Sequence, residues 1–269
     1  MDRDSSIKYG YFDGRNDQEM VGMRKGQNIA GHPVGIIYIE DVWYPMVPGN
    51  IVNGYTFDFP VRLMPVEGLD IENLFTTAEG VEEAVIEACR KLEREGCRAI
   101  SSACGFFGNY HKAAAAAVDV PVALSSLVQI PWIMTLLRPG QQIGVLTASK
   151  GSFSDKLLRN CGIGSDIQEK LIVKDLEHEP EFSCILEGRG SFNNAVVRRE
   201  VVGKAEEIAN EGSDVGAILL ECSDMPPYAA AIQDAVGLPV FDFTTLIRWL
   251  HNAVAQVPYK GLSDEGRDH

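Results

Sequence analysis

The stretch AISSACGFFG, residues 99–108, decides the fold, because a short apolar strand in it ends just before Cys104 and a turn that contains glycine. A second stretch, LLECSDMP at residues 219–226, places Cys222 in the equivalent position behind another apolar run. Each cysteine is followed, at the same spacing, by a Pro-Val pair that begins a further strand candidate. A strand, a cysteine turn and a second strand that recur in this order predict two copies of one structural unit.

The repeat extends to the elements before each cysteine. The apolar strand candidates VGII and IGVL, at residues 34–37 and 143–146, open the two halves, and an amphipathic helix follows in each half. These helices share one pattern of apolar positions closed by glycine: Val81, Val85, Cys89, Leu92 and Gly96 in the first half, and Val197, Val201, Ala205, Ile208 and Gly212 in the second. The pattern predicts an α/β fold of two pseudo-symmetric lobes, each a mostly parallel sheet flanked by helices.

The lobe boundaries follow from the same pattern. Residues 1–31 are polar, with charges of mixed sign, and are interpreted as an N-terminal extension. The first lobe is predicted over residues 32–137 and the second over 138–242, with a helix over 243–257 that packs back on the first lobe. Because ligands bind beyond the carboxyl ends of parallel strands, both cysteines are expected to face an active site in the cleft between the lobes.

Two local predictions concern the first lobe. Residues 55–63 are expected to contain a strand after the loop that carries Tyr44 and Asn50. Thr76 and Glu79 have the spacing of a capping box, which predicts that the first amphipathic helix begins there.

Composition excludes several functions. The formal net charge of −14 argues against binding to nucleic acid, which needs clustered Lys and Arg. No secretory signal or apolar span is visible, so a cytoplasmic location, no membrane association and six reduced cysteines are expected. The chain has no Cys-x-x-Cys pair and its five histidines are scattered, which predicts no metal site. Neither opening strand is followed by a glycine-rich phosphate loop, so a nucleotide cofactor is not expected.

Three segments together resemble one known family. SACGFFG (102–108), GVLTAS (144–149) and LLECSDMP (219–226) are similar to segments of the cofactor-independent aspartate/glutamate/hydantoin racemases, and the resemblance covers roughly residues 34–254. It implies two α/β lobes that each contribute one catalytic cysteine, a small-molecule carboxylate substrate and no cofactor. It leaves open whether the protein is a homo-oligomer. The residues after the cysteines, Gly105-Phe106 and Ser223-Asp224, differ from those of the amino-acid racemases, and this leaves the substrate open.

The resemblance implies an isomerase, a racemase or epimerase that uses Cys104 and Cys222 as an acid–base pair. Racemisation needs a base on one face of the acidic carbon and an acid on the other, which two facing thiols supply. Donors are needed around the substrate carboxylate, where negative charge develops. The expected substrate-binding residues are the backbone N–H groups of Gly105, Phe106 and Ser223, the turn residues Thr147 and Ser149, the carboxyl of Asp224, and Glu40 or Asp41 for a substrate ammonium.

Several of these residues have a structural interpretation as well. Thr147 and Ser149 could cap the following helix, Asp224 could stabilise a helix start, and Phe106 could belong to the core. The cysteines without a symmetric partner are interpreted as packing residues: Cys89, Cys97, Cys161 and Cys184.

Two other functions fit the same sequence. A relative on this fold could act as a decarboxylase of the arylmalonate type or as a cis–trans isomerase of the maleate type, in which a thiol can serve as a nucleophile. A non-catalytic small-molecule binding protein is the third alternative. Paired thiols in symmetric positions favour an enzyme that transfers protons.

Overall fold

The computed structural model of the protein describes residues 25–211 and 214–257. The predicted N-terminal extension therefore lies outside the described residues except for its last part, residues 25–31. Gly212, the predicted end of the second amphipathic helix, also lies outside them. Within the described ranges, no helix is long and apolar enough to cross a membrane.

The first sheet has four parallel strands in the order β2-β1-β3-β4. Its strands are β1 (Val34–Asp41), β2 (Val61–Asp70), β3 (Ala99–Ser102) and β4 (Val122–Ala123). The helices that accompany it are α1 (Ile71–Thr76), α2 (Val81–Arg94), α3 (His111–Ala117) and α4 (Ile130–Leu136), with 3₁₀ turns at Gly105–Tyr110 and Ser126–Gln129.

The second sheet repeats this order as β6-β5-β7-β8, again with every pair parallel. Its strands are β5 (Gln142–Thr147), β6 (Leu171–Asp175), β7 (Val215–Leu220) and β8 (Val240–Phe241). The helices are α5 (Asp155–Asn160), α6 (Ser165–Gln168), α7 (Cys184–Glu187), α8 (Asn194–Glu211), α9 (Ala229–Val236) and α10 (Phe243–Val254), with 3₁₀ turns at Lys150–Ser152 and Pro226–Tyr228. Two parallel sheets flanked by helices confirm the predicted α/β fold of two similar lobes.

The helix stripes and the strand glycines explain how each sheet meets its main helix. The predicted stripe positions of α2 and α8 are all buried. A Cβ atom placed on Gly35 of β1 would lie 2.8 Å from the side chain of Leu92, and one placed on Gly144 of β5 would lie 2.4 Å from Ile208. The two glycines therefore allow the same close approach of helix to strand in both lobes.

Two local predictions in the first lobe give the wrong start of an element. β2 begins at Val61 rather than near residue 55, because backbone turns from Asn50 to Asn53 and from Asn53 to Thr56 occupy the preceding segment. The capping box is absent, because Thr76 ends α1 instead of starting α2. α2 begins at Val81 after Gly80, whose φ of 85° separates the two helices.

The C-terminal helix α10 lies on the first lobe although it follows the second in sequence. Its buried residues Phe243, Leu246, Ile247 and Leu250 form one cluster with Val34 and Ile36 of β1 and Ala99 of β3. The exact division of the chain into residues 32–137 and 138–242 remains a prediction.

Hydrogen bonds between the cysteine turns and the neighbouring strand ends join the lobes at the carboxyl ends of their strands. The Ser223 hydroxyl donates to the carbonyl of Ala103 at 3.0 Å, and the Ser126 hydroxyl donates to the carbonyl of Leu220 at 2.9 Å. The two cysteine turns are thereby held next to each other.

Candidate active site

A cavity lies between the lobes, with about 370 Å³ of space that is partly open to solvent, and both predicted cysteines line it. Cys104 enters it from the first lobe and Cys222 from the second. Two carboxyl groups, Glu221 and Asp224, lie on the same wall as Cys222. The remaining lining residues are aromatic, apolar or small: Ile39, Tyr44, Ile71, Phe75, Ala103, Phe106, Ala148, Ile185, Leu186 and Ser223.

Cys104 lies two residues after the end of strand β3. It occupies the N-cap position of the 3₁₀ turn that begins at Gly105. The backbone N–H of Phe106 donates to its sulfur, which favours the thiolate. Burial and the nearby Glu221 carboxyl act in the opposite direction and raise the pKa of the Cys104 thiol well above its usual value. Cys104 is therefore a protonated thiol in this structure.

Cys222 follows strand β7 and is buried. Its sulfur lies 3.5 Å from Oδ2 of Asp224, a distance at which the thiol donates a hydrogen bond to the carboxylate. Burial, followed by the charges of Asp224 and Glu221, raises the pKa of the Cys222 thiol well above its usual value. A thiol in contact with a carboxylate can pass its proton to that carboxylate and become a base.

Asp224 is held by donors from the first lobe. The Tyr44 hydroxyl donates to its Oδ2 at 3.3 Å, and the Asn50 amide donates to Oδ1. Burial raises the pKa of Asp224 to about 6, while the donors from Cys222, Tyr44 and Asn50 limit that rise. Burial also raises the pKa of Tyr44 well above its usual value, so Tyr44 keeps its proton and remains a donor.

Glu221 is fully buried beside the two thiols. Its Oε2 accepts a hydrogen bond from the Thr147 hydroxyl at 2.8 Å, and the backbone of Ala148 also donates to the carboxyl. Its Oε1 has no hydrogen-bond partner among the described residues. Burial raises the pKa of Glu221 to about 7 in spite of these donors.

The predicted substrate-binding residues fall into two groups. Phe106, Ser223 and Asp224 line the cavity together with Cys104. The other predicted residues do not line the cavity. Gly105 and Thr147 lie against the Glu221 carboxyl, and Ser149 donates a hydrogen bond to Glu177 at 2.9 Å. Glu40 accepts a hydrogen bond from the backbone of Gly68, and Asp41 is exposed at the end of β1. Their role in substrate binding remains a prediction, and for Thr147 the contact suggests action through Glu221.

Three residues of the site were missed by the sequence analysis. Tyr44 and Asn50 belong to the loop after β1, which is the place where ligand-binding residues occur in parallel sheets, and this position was the available signal. Glu221 directly precedes Cys222, where an acidic residue at the end of an apolar strand was the signal.

The walls of the cavity carry acidic and aromatic groups but no basic one. No Lys, Arg or His is found among the described residues that line it. The rings of Phe75 and Phe106 pack with centroids 4.3 Å apart, and Tyr44 adds a third ring. Over residues 25–211 and 214–257, no group of three or more His, Cys, Asp or Glu side chains is arranged to hold a metal ion. Such walls favour a ligand that carries positive charge and apolar substituents.

The fold and the paired cysteine turns are those of a known protein family. Residues 62–250 match the profile of the Asp/Glu/Hydantoin racemase family, and the chain belongs to that family.

Among solved structures, unliganded arylmalonate decarboxylase aligns with a TM-score of 0.51 at 16% identity, over 84% of this chain and 94% of that one. An aspartate racemase homologue from Pyrococcus horikoshii OT3 aligns with a TM-score of 0.52 at 19% identity, over 83% and 99%. At these identities the similarity shows the fold.

The curated relatives carry a different activity from the one expected. A dimethylsulfoniopropionate lyase from Durusdinium sp. clade D is 27% identical over 248 residues, which are 89% of this chain and 81% of that protein. Dimethylsulfoniopropionate lyase 3 from Emiliania huxleyi (strain CCMP1516) is 29% identical over 88% of this chain, which spans only 63% of that relative.

These relatives correct the functional prediction. The racemase or epimerase activity, and with it the assignment as an isomerase, is wrong, because the named relatives are lyases. The aspartate racemase homologue aligns at 19% identity, which shows the shared fold and not the activity. The physical reason is that paired thiols identify proton removal from carbon but do not determine what the resulting carbanion does next.

Proposed function

We propose that this protein is a carbon–sulfur lyase that cleaves dimethylsulfoniopropionate, or a closely similar sulfonium carboxylate, to dimethyl sulfide and an unsaturated acid. The names of the relatives supply the reaction class. The composition of the cavity walls supports the substrate class independently.

The observation that carries the proposal is the charge of the cavity. One buried and one partly buried carboxyl, three aromatic rings and no basic side chain line it within the described part of the chain. A sulfonium group is a cation surrounded by methyl groups, so it gains from carboxylates and from aromatic faces at once. A dicarboxylate amino acid would meet two like charges there and no side-chain cation to offset them.

The elimination begins at the carbon next to the substrate carboxylate. Cys222 gives its thiol proton to Asp224, and the resulting thiolate takes a proton from this carbon. The electron pair of the broken carbon–hydrogen bond forms the double bond, and the carbon–sulfur pair leaves with neutral dimethyl sulfide. Cys222 is then protonated again, acrylate remains, and the proton on Asp224 passes to water.

The thiolate form of Cys222 is unfavourable in the free protein but not in the complex with the sulfonium substrate. Moving the proton from Cys222 to Asp224 leaves the total charge of the pair unchanged. The sulfonium cation then stabilises negative charge on whichever group lies nearest to it. The substrate therefore promotes formation of its own base.

Cys104 has a different role in an elimination than in a racemisation. The leaving group departs as a neutral sulfide, so it needs no proton. As carbanion character develops, negative charge spreads onto the substrate carboxylate, and a donor there lowers the barrier. Cys104, protonated and facing the cavity from the first lobe, is assigned this donor role.

The proposal is tested by incubating the purified protein with dimethylsulfoniopropionate. Dimethyl sulfide is measured in the headspace by gas chromatography, and acrylate is measured by proton NMR. Both products should form in equal amounts with the wild type and not with Cys222→Ser. Wild-type protein that is folded but releases neither product would overturn the proposed function.

A further inference from the structure

Glu221 is a buried acid without a countercharge. It forms no ion pair with any described residue, and its Oε1 lacks a hydrogen-bond partner there. An ionised carboxylate in this state is costly, because burial removes water and supplies nothing of opposite charge. A group of this kind is tolerated where a ligand completes its interactions.

The fold makes specific room for this carboxyl. A Cβ atom on Gly105 would lie 1.8 Å from Oε1 of Glu221, so only glycine fits at that position. The Thr147 hydroxyl at the end of strand β5 donates to Oε2, and the backbone of Ala148 also donates to the carboxyl. The equivalent position before the first cysteine is Ala103, which has no charge. The carboxyl is therefore fixed in place by three segments and is present in one lobe only.

The groups around Glu221 cannot neutralise it. The titratable side chains that interact with it or share its cavity wall are thiols, one phenol and one acid: Cys104, Cys161, Cys222, Tyr44 and Asp224. Asp224 already receives donors from Tyr44, Asn50 and Cys222, whereas Glu221 keeps a free oxygen. Of the two carboxyls, Glu221 is the one with an oxygen that no described residue pairs.

We propose that Glu221 selects the substrate by charge: the cationic group of the ligand is its missing countercharge, and Glu221 loses its proton when that group binds. The inference rests on the proposed sulfonium substrate and adds a specificity-determining residue to it. No covalent step is involved. The proton moves from the Glu221 carboxyl to water, and the ligand cation takes its place.

Proton release makes the affinity depend on pH in a defined direction. Burial raises the pKa of Glu221 to about 7 in the free protein, and a bound cation lowers it. A ligand that lowers this pKa binds best above about pH 7 and loses affinity as the pH falls, by roughly tenfold for each unit of the change in pKa. A neutral ligand of the same shape should show no such dependence.

A pair of unreactive ligands isolates the effect of charge. The compounds 3-(trimethylammonio)propanoate and 4,4-dimethylpentanoate have the same shape and differ in the positive charge. Calorimetric titration in two buffers of different ionisation enthalpy gives the affinity and the number of protons released. The ammonium compound should bind roughly tenfold tighter than the neutral one above about pH 7 and release protons near neutral pH.

The variants Glu221→Gln, Asp224→Asn and Glu177→Gln locate the proton. Glu221→Gln should remove both the preference for the cation and the proton release near pH 7. Glu177→Gln is the matched control, because Glu177 also accepts a hydroxyl hydrogen bond at the end of β5, from Ser149, but does not line the cavity. Asp224→Asn should keep the proton release near pH 7, because the pKa of Asp224 is about 6. Equal binding of the two ligands to the wild type, or proton release near pH 7 that survives in Glu221→Gln, would overturn the inference.

A second variant covers the case in which Glu221→Gln does not fold. Thr147→Val removes a donor that lowers the pKa of Glu221, so the pH midpoint of the ligand affinity should move upward. An unchanged midpoint would also count against Glu221. Because dimethyl sulfide release is measured separately, failure of this inference and failure of the proposed lyase activity give different results.

Discussion

The hydroxyl of Tyr44 lies 3.3 Å from Oδ2 of Asp224, although the two residues are 180 positions apart in the sequence. The contact joins the loop after the first strand to the cysteine turn of the second lobe. Asn50 of the same loop binds the other carboxylate oxygen. Side chains of the first lobe therefore contribute to the protonation state of the second-lobe acid, together with its burial and its contact with Cys222.

Replacement of Tyr44 should change the pH dependence of the reaction. In Tyr44→Phe the donor to Asp224 is lost, so the pKa of Asp224 should rise above its value of about 6. Asp224 accepts the thiol proton only when ionised, so the acidic limb of kcat/KM should move to higher pH, by up to about one unit. The measurement is a pH–rate profile of dimethyl sulfide release. Tyr55→Phe, at a residue that is 90% exposed, is the control and should leave the profile unchanged.

The two cysteines should differ in their sensitivity to substitution. Cys222→Ser replaces the base by a hydroxyl that does not ionise in this range, and turnover should fall by roughly 10³-fold. Cys104→Ala removes a donor to developing charge and should cost roughly 10²-fold, with partial recovery in Cys104→Ser, since a hydroxyl also donates. Steady-state kinetics on dimethylsulfoniopropionate checks both values.

Cys89→Ala is the control for both cysteine variants. Cys89 is buried in the apolar stripe of α2, away from the cavity. Its removal should lower the free energy of unfolding by about 1–3 kcal/mol and leave turnover largely intact. Turnover near the wild-type level in Cys222→Ser would remove Cys222 from the mechanism.

Glu221 should make the folded protein less stable as the pH rises. Its pKa is 4.5 for an ordinary glutamate and about 7 in the fold, so the folded state binds the proton more tightly than the unfolded chain. Binding of this proton stabilises the folded state fully below about pH 4.5, and this stabilisation is lost as the pH rises to about 7. The free energy of unfolding should change by on the order of 3 kcal/mol.

Urea unfolding near pH 5 and near pH 8 measures this change. Glu221→Gln cannot ionise, so its free energy of unfolding should fall less than that of the wild type between the two conditions. Parallel losses in both proteins would show that Glu221 does not ionise in this range.

The strand glycines provide a test of the packing shared by the two lobes. Gly35→Ala and Gly144→Ala should each lower the free energy of unfolding by about 1–3 kcal/mol, because the added methyl group meets Leu92 or Ile208. Gly203→Ala on α8 is the control, since a Cβ there has no neighbour within 4 Å. That control should gain up to about 1 kcal/mol from helix propensity. Thermal melts of the three variants compare the effects directly.

The lobes and the cysteine turns could be predicted because their signals are local. A strand, a cysteine and a Pro-Val pair recur at fixed spacing, and the stripe of α2 is repeated in α8. β6 was missed because its residues are only half-buried and include Lys174 and Asp175, which leaves a weak apolar pattern.

The acid network could not be predicted from spacing. The contacts of Asp224 with Tyr44 and Asn50 bring distant parts of the chain together, and no periodic pattern records them. The state of Glu221 depends on its burial under Gly105, which only the packed structure reveals. The chemistry was misassigned for a related reason, since the thiols are encoded locally and the charge of the cavity is not.

The difference between Ala103 and Glu221 bears on the direction of catalysis. A racemase runs forward and backward through mirror-image steps, so its two halves can present nearly equivalent faces to the substrate. In this protein both acids, Glu221 and Asp224, flank Cys222, whereas the residue before Cys104 is the uncharged Ala103. A zwitterion that enters this cavity has one favourable orientation, with its cation toward the acids. The duplicated architecture thus provides a site with a distinct head and tail, which suits a reaction that splits a molecule into two unlike products.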